Sequence, residues 1–576
     1  MAFAVGTTRR GKTLTLSAEE RSRHVHIVGA SGTGKSKLME SMIRQDILAG
    51  RGLCLIDPHG TLADAIVQFC ASRQLQGARR IHVIEPADAA WSVGFNPLRL
   101  DGVTEAAARV DAMVSACAQV WGGENATSTP LLKKCLRAVF YALAIREQTL
   151  LEAVELINST DPRATRRLLT ENLPDYVFDS LWQDFNRLSR REFAEQFAST
   201  NNRLIEFLSS PIVRRIVGQR EHALDLKQIM DNGEILIVNL APRSSLSSDN
   251  ARLLGTLLTS ELFLLALARD ADIARRRPFY LYIDECYDYL TSDIERMLDQ
   301  TRKFGLHLVL AHQRLGQLRD RSEAIYNGVM GGGQTKIVFG GLEDDDAEVM
   351  ARQIMRDSFN LERPKHVLDK PVVVDEVPFW LESESEGESD TTSSSVSHSF
   401  ATTETSGTAE SASEHYEVLD NTSPELRGIA LGSGAFTGAA TTLGTGTSEG
   451  YATTRSRAQG RAQTLKPVRV TMPTAVYSLQ EEIHMAIVKL RELPQRVAVL
   501  KRRGRTATRI RAPEIKTSLA GPELVERFVS NARLASPYLS PMAVVDAEIL
   551  TRHTELIEGK LVGTSAATDE QFWHKE

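Results

Sequence analysis

Short apolar runs alternate along this chain with longer segments in which apolar residues recur every three or four positions. The short runs are rich in β-prone residues and lie at 24–28, 53–56, 81–84, 234–240, 279–283, 306–310 and 335–339. Apolar strands that alternate with helices are typical of a mostly parallel sheet whose two faces are covered. The pattern therefore predicts an α/β core.

The alternation is interrupted between 101 and 230. Apolar residues there recur at helical spacing, with few β-branched runs, and Asp161-Pro162 and Leu173-Pro174 mark helix boundaries. The predicted helices lie at 104–120, 130–146, 164–171 and 190–208. We therefore predict an all-α domain inserted between two parts of the core, residues 1–100 and 231–381.

The segment 382–465 is rich in Ser, Thr, Gly, Ala and Glu and sparse in aromatic residues. Such a composition buries little apolar surface, which favours a disordered linker. Small and polar residues alternate in 445–454, so a long β-ribbon is the alternative. Residues 466–576 return to a mixed composition, and we expect them to complete part of the core. Their predicted elements are a strand, a helix and a strand at 468–472, 479–493 and 496–501.

A glycine-rich run separates the strand at 24–28 from the helical segment that follows it. Residues 29–36 read GASGTGKS and match G-x-x-x-x-G-K-[ST], the phosphate-binding loop. A strand, loop and helix in this order point backbone N–H groups at phosphates. The sequence has no N-K-x-D string, the motif that recognises guanine, so a GTPase is not expected. The predicted cofactors are ATP and Mg²⁺. The predicted binding residues are Gly29, Ala30, Ser31, Gly32, Thr33, Gly34, Lys35 and Ser36.

Within this loop, Lys35 is expected to reach the β- and γ-phosphates and the Ser36 hydroxyl to ligate Mg²⁺. Two carboxylates end the apolar strand at 279–283. Hydrolysis needs one acid to hold the metal ion and one to polarise the attacking water. We assign these roles to Asp284 and Glu285.

Gln313 ends the next strand, and we expect it to sense the γ-phosphate, the alternative being a hydrogen bond to the adjoining turn. Arg302 lies just before that strand. It is equally well interpreted as an arginine finger acting on a neighbouring subunit or as a solvated helix end. Asp57 and His59 follow the strand at 53–56, where ligands collect in such sheets. Both could contact the nucleotide or relay a signal from DNA, and they could equally form a turn. For His59 we favour a turn or a supporting role over metal binding.

Composition narrows the class of protein further. The 576 residues carry a net charge of −6, so any nucleic-acid surface must be local. Five scattered cysteines and the lack of a signal-peptide pattern lead us to expect a cytoplasmic protein. The most apolar window, 253–268, is too short for a bilayer span and is expected to be a core helix. Basic clusters at 455–469 and 501–511 are as well explained by DNA contact as by solvated surface.

These motifs together resemble the HerA/FtsK superfamily of DNA-pumping ATPases, and most of all conjugative coupling proteins of the TraG/TraD kind. The resemblance spans about 1–345 and rests on GASGTGKS, LIDPHG at 55–60, FNPL at 95–98, ILIVNL at 235–240, YIDE at 282–285 and RKFG with AHQ at 302–313. It implies a RecA-like core, a hexameric ring with ATP between subunits, and DNA in the pore. Coupling proteins usually begin with transmembrane helices, and we identify none in this chain.

The function expected from the sequence is therefore an ATP-driven translocase or coupling ATPase on duplex DNA, in conjugative transfer or in a mobile-element or antiviral setting. The alternative is a HerA-like ring that scaffolds and regulates a partner nuclease or effector. A relaxase is a further possible partner in the first case.

Overall fold

The structure, a computed structural model, describes the chain in the following ranges: residues 3–75, 79–88, 90–100, 106–121, 129–158, 162–170, 173–174, 177–220, 224–243, 245–269, 276–355, 364–372, 378–393, 401–417, 425–442, 450–465, 468–517 and 520–558. The chain divides into two compact units. One consists of residues 1–359 and 479–576, and the other of residues 360–478.

The first unit is built around one large sheet. The strands of the sheet are β1 (Phe3–Thr7), β2 (Thr13–Leu16), β3 (Val25–Val28), β4 (Gly52–Asp57), β5 (Ile81–Ile84), β7 (Ile235–Asn239), β8 (Phe279–Ile283), β9 (Leu306–His312), β10 (Thr335–Phe339), β17 (Val497–Lys501) and β18 (Thr508–Arg511). Two further strands of this unit, β6 (Trp91–Val93) and β19 (Leu539–Pro541), pair with each other. The sheet has eleven strands in the order β2-β1-β18-β17-β10-β3-β9-β8-β4-β7-β5. The seven from β10 to β5 are parallel, and the other four extend the sheet antiparallel.

Helices cover both faces of this sheet. They are α1 (Ala18–Ser22), α2 (Lys35–Leu48), α3 (Thr61–Ser72), α4 (Ala106–Trp121), α5 (Pro130–Ile145), α6 (Glu152–Asn158), α7 (Pro162–Thr170), α8 (Gln183–Arg187), α9 (Arg190–Leu208), α10 (Pro211–Val217), α11 (Leu226–Asn232), α12 (Ser248–Leu267), α13 (Ile294–Thr301), α14 (Leu315–Arg321), α15 (Glu323–Gly332), α16 (Asp344–Ile354), α17 (Leu479–Arg491), α18 (Pro522–Ala535) and α19 (Met542–Ile557). A π-helical turn (Phe178–Trp182) precedes α8, and 3₁₀ turns lie at Cys286–Asp288 and Arg302–Phe304.

Alternate residues of each strand enter two different hydrophobic cores. In β4, Leu53 and Leu55 pack with α2, α3 and α18, whereas Cys54 and Ile56 pack with α4, α5 and α12. Every residue of β3, β4, β5, β7, β8, β9 and β10 is buried. This two-sided burial is why these strands read as continuous apolar runs, and it confirms all seven predicted strands.

The four predicted helices of the insertion occur as α4, α5, α7 and α9. Helix α9 begins with a capping box in which Ser189 and Glu192 each accept a hydrogen bond from the other's backbone. Trp182, Phe185 and Phe197 form a buried aromatic cluster with centroid distances of 4.9 to 6.5 Å. The insertion therefore has its own packing centre, continuous with the core on one face of the sheet.

Helix α12 is the one helix of the described residues that is long and apolar enough to cross a membrane by length and composition. Its apolar window is 72% buried inside the protein. It accompanies the sheet as a core helix, as the sequence predicts for 253–268.

The second unit consists of antiparallel strand pairs. Its strands are β11 (Pro364–Val372), β12 (Pro378–Ser393), β13 (Ala401–Glu417), β14 (Glu425–Thr442), β15 (Gly450–Leu465) and β16 (Val468–Val476). The pairs are β11 with β16, β12 with β15, and β13 with β14. Within 382–465 the described residues lie in these strand pairs. The strand predicted at 468–472 belongs to this unit and not to the core.

Candidate active site

The predicted site residues follow neighbouring strands of the parallel sheet. The loop at 29–36 follows β3, Asp284 and Glu285 follow β8, and Gln313 follows β9, which lies between β3 and β8. Because parallel strands end at the same edge of a sheet, the fold brings these segments together at its carboxyl edge.

Glycines shape the loop where no side chain fits. Gly29 has φ of 157°, and a Cβ there would lie 2.5 Å from Cβ of Phe339. Gly34, at φ of 115°, is the residue from which α2 starts. Lys35 is buried, and its Nζ donates to the carbonyl oxygens of Gly29 (2.7 Å) and Ala30 (3.1 Å). Burial lowers the pKa of Lys35, partly opposed by the charges of Glu285 and Asp284. The lysine is thus held inside the loop by two carbonyl oxygens, near enough to the two acids to feel their charge.

Ser36 and Asp284 place two oxygen ligands side by side. The Ser36 hydroxyl donates to Oδ2 of Asp284 over 3.1 Å, and the backbone N–H of Glu285 donates to Oδ1 over 3.1 Å. Burial raises the pKa of Asp284, and the nearby charge of Asp57 adds to this, while the Ser36 hydrogen bond opposes it. A nearby cation would relieve the cost of this buried charge. Hydroxyl and carboxylate oxygens are the donors that Mg²⁺ prefers, so these residues fit that ion.

Glu285 is buried in a backbone conformation that side chains rarely adopt, at φ of 47°. Its Oε1 accepts a hydrogen bond from Nε2 of Gln313 at 2.5 Å. Its Oε2 is buried and has no hydrogen-bond partner among the described residues. Burial raises the pKa of Glu285, with the Gln313 hydrogen bond lowering it again. One carboxylate oxygen is therefore oriented and the other is left for a further donor, which suits a group that accepts a proton from water.

Asp57 and His59 have a structural role. The buried Asp57 carboxylate accepts backbone hydrogen bonds from His59 (2.9 Å), Leu62 (2.8 Å) and Ala63 (2.9 Å). It thereby satisfies the free N–H groups at the start of α3. The His59 side chain is exposed, close enough to Glu285 for its charge to lower that pKa. This agrees with the favoured interpretation of a turn.

The structure does not bring Arg302 to the other site residues. It is exposed in the 3₁₀ turn before β9, at the amino end of that strand. Seven residues of β9 separate this end from Gln313, which corresponds to about 20 Å. Arg302 cannot reach the loop of its own chain.

One set of contacts was missed by the sequence reasoning. Nε2 of Gln495 donates to the carbonyl oxygen of Gly32 (3.0 Å), and the N–H of Arg496 donates to that of Thr33 (2.8 Å). Arg496 has φ of 66°, and its Cα lies 3.4 Å from where a Cβ of Gly34 would be. The turn between α17 and β17 therefore supports the outside of the loop. No local pattern indicates this, because the partners are 463 positions apart.

Among the described residues, no group of three or more His, Cys, Asp or Glu side chains is arranged to hold a metal ion. The five cysteines are buried and free, and burial raises the pKa of Cys54, Cys70, Cys117, Cys135 and Cys286. Thiol chemistry is thus not part of the described site.

Comparison with known proteins gives one family match. The model of the type IV secretion-system coupling protein DNA-binding domain matches residues 10–363, more than half of the chain. No curated protein is significantly similar in sequence.

Several solved structures resemble the chain. The plasmid coupling protein TrwB in complex with the non-hydrolysable ATP analogue ADPNP aligns at a TM-score of 0.51 and 13% identity, covering 91% of this chain and 92% of that one. The unbound bacterial conjugative coupling protein TrwBΔN70 aligns at 0.49 and 14%, covering 90% and 91%. VirB4 of Thermoanaerobacter pseudethanolicus aligns at 0.42 and 14%, covering 61% and 87%. The first alignment confirms the predicted RecA-like fold with its helical insertion.

Proposed function

The chain belongs to the family of type IV secretion-system coupling protein DNA-binding domains, and on this basis we propose that it is a coupling ATPase that binds ATP and Mg²⁺ and acts on DNA in conjugative transfer. The observation that carries the proposal is the convergence of Lys35, Asp284 and Glu285 at one edge of the sheet. TrwB, which shares the fold, has been solved with ADPNP and with ADP and Mg²⁺.

In this proposal the loop backbone and Lys35 bind the phosphates of ATP. Ser36 and Asp284 hold Mg²⁺, which when bound neutralises charge that develops on the transferred phosphoryl group. The buried carboxylate of Glu285 takes a proton from the attacking water. Gln313 orients that carboxylate through its amide N–H, and in this proposal it also senses the γ-phosphate.

We further propose that the chain assembles into a ring, a hexamer by resemblance, in which Arg302 acts on the nucleotide of a neighbouring subunit. Its exposure and its position at the amino end of β9, about 20 Å along that strand from Gln313, support action in trans. A mixing experiment tests this. Lys35→Ala and Arg302→Ala should each abolish hydrolysis alone. Mixed, they should recover part of it, because some interfaces then pair an intact Lys35 with an intact Arg302. No recovery from subunits shown to exchange would remove Arg302 from this role.

The proposed partner is duplex DNA, bound through its phosphates. Exposed cations at the turn and strand after β17 support a local phosphate-binding surface in a chain of net negative charge. They are Arg503, Arg505, Arg509 and Arg511. Such contacts weaken with added salt because binding releases counterions from the DNA.

The test is ATP hydrolysis by the full chain with and without linear duplex DNA, at low and at moderate salt. Stimulation by DNA that declines with salt and is absent in Glu285→Gln supports a DNA-acting ATPase. Hydrolysis that ignores DNA would favour the alternative, a ring that regulates a partner nuclease or effector. Lack of nucleotide binding would refute both.

A further inference from the structure

Two buried histidines lie between the loop and the γ-phosphate sensor. His26 is on β3, three residues before Gly29, and His312 is the last residue of β9, directly before Gln313. Their Nε2 atoms are 2.7 Å apart, and their rings are nearly coplanar, with an interplanar angle of 12° and a centroid distance of 4.9 Å. Both side chains are buried, at 1% and 0% exposure. The catalytic scheme above uses neither of them.

The hydrogen bonds determine where the protons are. Nδ1 of His312 lies 3.0 Å from the carbonyl oxygen of Arg314, which can only accept, so Nδ1 carries the proton. Nε2 of a neutral His312 is then an acceptor, and His26 must donate to it from its own Nε2. Nδ1 of His26 is consequently an acceptor, and it is buried without a hydrogen-bond partner among the described residues.

Both imidazoles are neutral in this arrangement. Burial lowers the pKa of His312 to about 4. Burial, with the charges of His312 and Lys336, lowers the pKa of His26 well below its ordinary value. At neutral pH the pair therefore keeps one hydrogen-bond pattern, in which His26 donates to His312 and His312 donates to the Arg314 carbonyl. We call these two hydrogen bonds the relay.

This relay encloses Gln313. The His312 ring bonds to the carbonyl of residue 314, so it closes a turn around the backbone of residue 313. The other end of the relay, His26, is part of β3, the strand that carries the phosphate loop, and β3 pairs with β9 so that Val28 lies opposite His312. The side chain of Gln313 leaves this turn and donates to Oε1 of Glu285.

We propose that His312, oriented by His26, is a positioning residue that sets Gln313 against Glu285 and couples that contact to the strand bearing the loop. The proposal rests on the function proposed above. A side chain that merely fills the core would affect stability, whereas a positioning residue affects turnover through Gln313.

Four single variants separate the contributions. His312→Phe keeps the ring volume and loses both hydrogen bonds. His312→Asn keeps a donor near Nδ1 and loses the His26 contact. His26→Phe removes the donor to His312, whereas His26→Gln places an amide N–H close to the original Nε2 and is the conservative control.

The measurements are kcat, KM and the Kd of a fluorescent ATP analogue for the full chain, alone and combined with Gln313→Ala. We expect kcat to fall about 10-fold or more in His312→Phe and His26→Phe, since positioning errors are costly to turnover. His26→Gln should stay within about threefold, and Kd should be unchanged throughout. His312→Phe should cost nothing further in a Gln313→Ala background.

Independent, multiplying effects of His312→Phe and Gln313→Ala would overturn the proposal, as would ordinary kcat in His26→Phe. If His312→Phe fails to fold, His312→Asn and the His26 pair decide the question by the same criteria. If the wild-type chain binds the analogue but the effects of the substitutions are independent, only this inference is refuted. A wild-type chain that does not bind it refutes the proposed function and this inference with it.

Discussion

The variant Glu285→Gln tests whether the site needs a side chain at residue 285 that accepts a proton, or only one of that shape. Oε1 of Glu285 accepts from Gln313 at 2.5 Å, and Oε2 has no hydrogen-bond partner among the described residues. A glutamine has the same outline, so its amide oxygen can take the first position and accept the same hydrogen bond. Its NH₂ group then takes the second position. The substitution removes the charge and the proton acceptor without opening a cavity.

The expected loss of turnover is that of a general base, about 10²- to 10⁴-fold, or about 2.7 to 5.5 kcal/mol of transition-state stabilisation. Nucleotide affinity should stay equal or improve, because a negative charge near the phosphates is removed. The pKa of Glu285 is raised above its ordinary value of 4.5, chiefly by burial. Its contribution to stability is therefore present at pH below 4.5 and is lost as pH rises through the raised folded-state pKa. At pH 7.5 the variant should unfold at a higher temperature than the wild type.

Three readouts test this reasoning: phosphate release at saturating ATP, titration with a fluorescent ATP analogue, and thermal unfolding at pH 7.5. Glu323→Gln, an exposed acid at the start of α15, is the matched control and should change none of them. Hydrolysis by Glu285→Gln within about threefold of the wild type would contradict the 10²-fold or greater loss expected of a general base. Unchanged turnover together with a raised melting temperature would show that Glu285 is a strained, buried acid with no role as a general base.

Three further changes have defined outcomes. Asp57→Ala removes the acceptor of three backbone N–H groups, one in the turn before α3 and two in its first turn, and should cost about 3 kcal/mol of unfolding free energy in urea. Arg496→Pro removes the N–H that binds Thr33 and cannot adopt φ of 66°, so Kd for an ATP analogue should rise about 10-fold; Arg496→Gly should leave it nearly unchanged. Burial lowers the pKa of Lys336 from 10.5 to about 8. The wild type should therefore gain stability relative to Lys336→Met as pH rises from about 8 to 10.5, by at most about 1.4 kcal/mol per pH unit, in urea titrations at pH 7.5 and 9.5.

The second unit, residues 360–478, contains strand pairs in a segment whose amino-acid composition favours disorder. A segment of Ser, Thr, Gly, Ala and Glu has little apolar surface to bury, so composition alone favours disorder. Strand β12 nevertheless pairs with β15 from Pro378 opposite Leu465 to Ser393 opposite Gly450. Such a ladder pairs the backbone groups that face the partner strand over its whole length, whatever the side chains bury. Backbone pairing between distant segments leaves only a weak alternation in the sequence.

The sequence by itself determined the parts of this protein whose chemistry is local. The strands that carry the site are buried on both faces and read as apolar runs, and the phosphate loop needs eight consecutive residues. Asp284 and Glu285 are adjacent, and their strand ends at the edge where the loop lies. All of these depend on side-chain periodicity and on contacts within a few positions along the chain.

Only the tertiary structure decided which distant residues meet. It placed Gln495 and Arg496 against the loop, joined His26 to His312, and put Arg302 at the opposite end of β9. The reason is the sheet order, in which β9 lies between β3 and β8, and β17 lies next to β10. That order follows from how the two hydrophobic faces of the sheet are covered together, a property of the folded whole that no single segment carries.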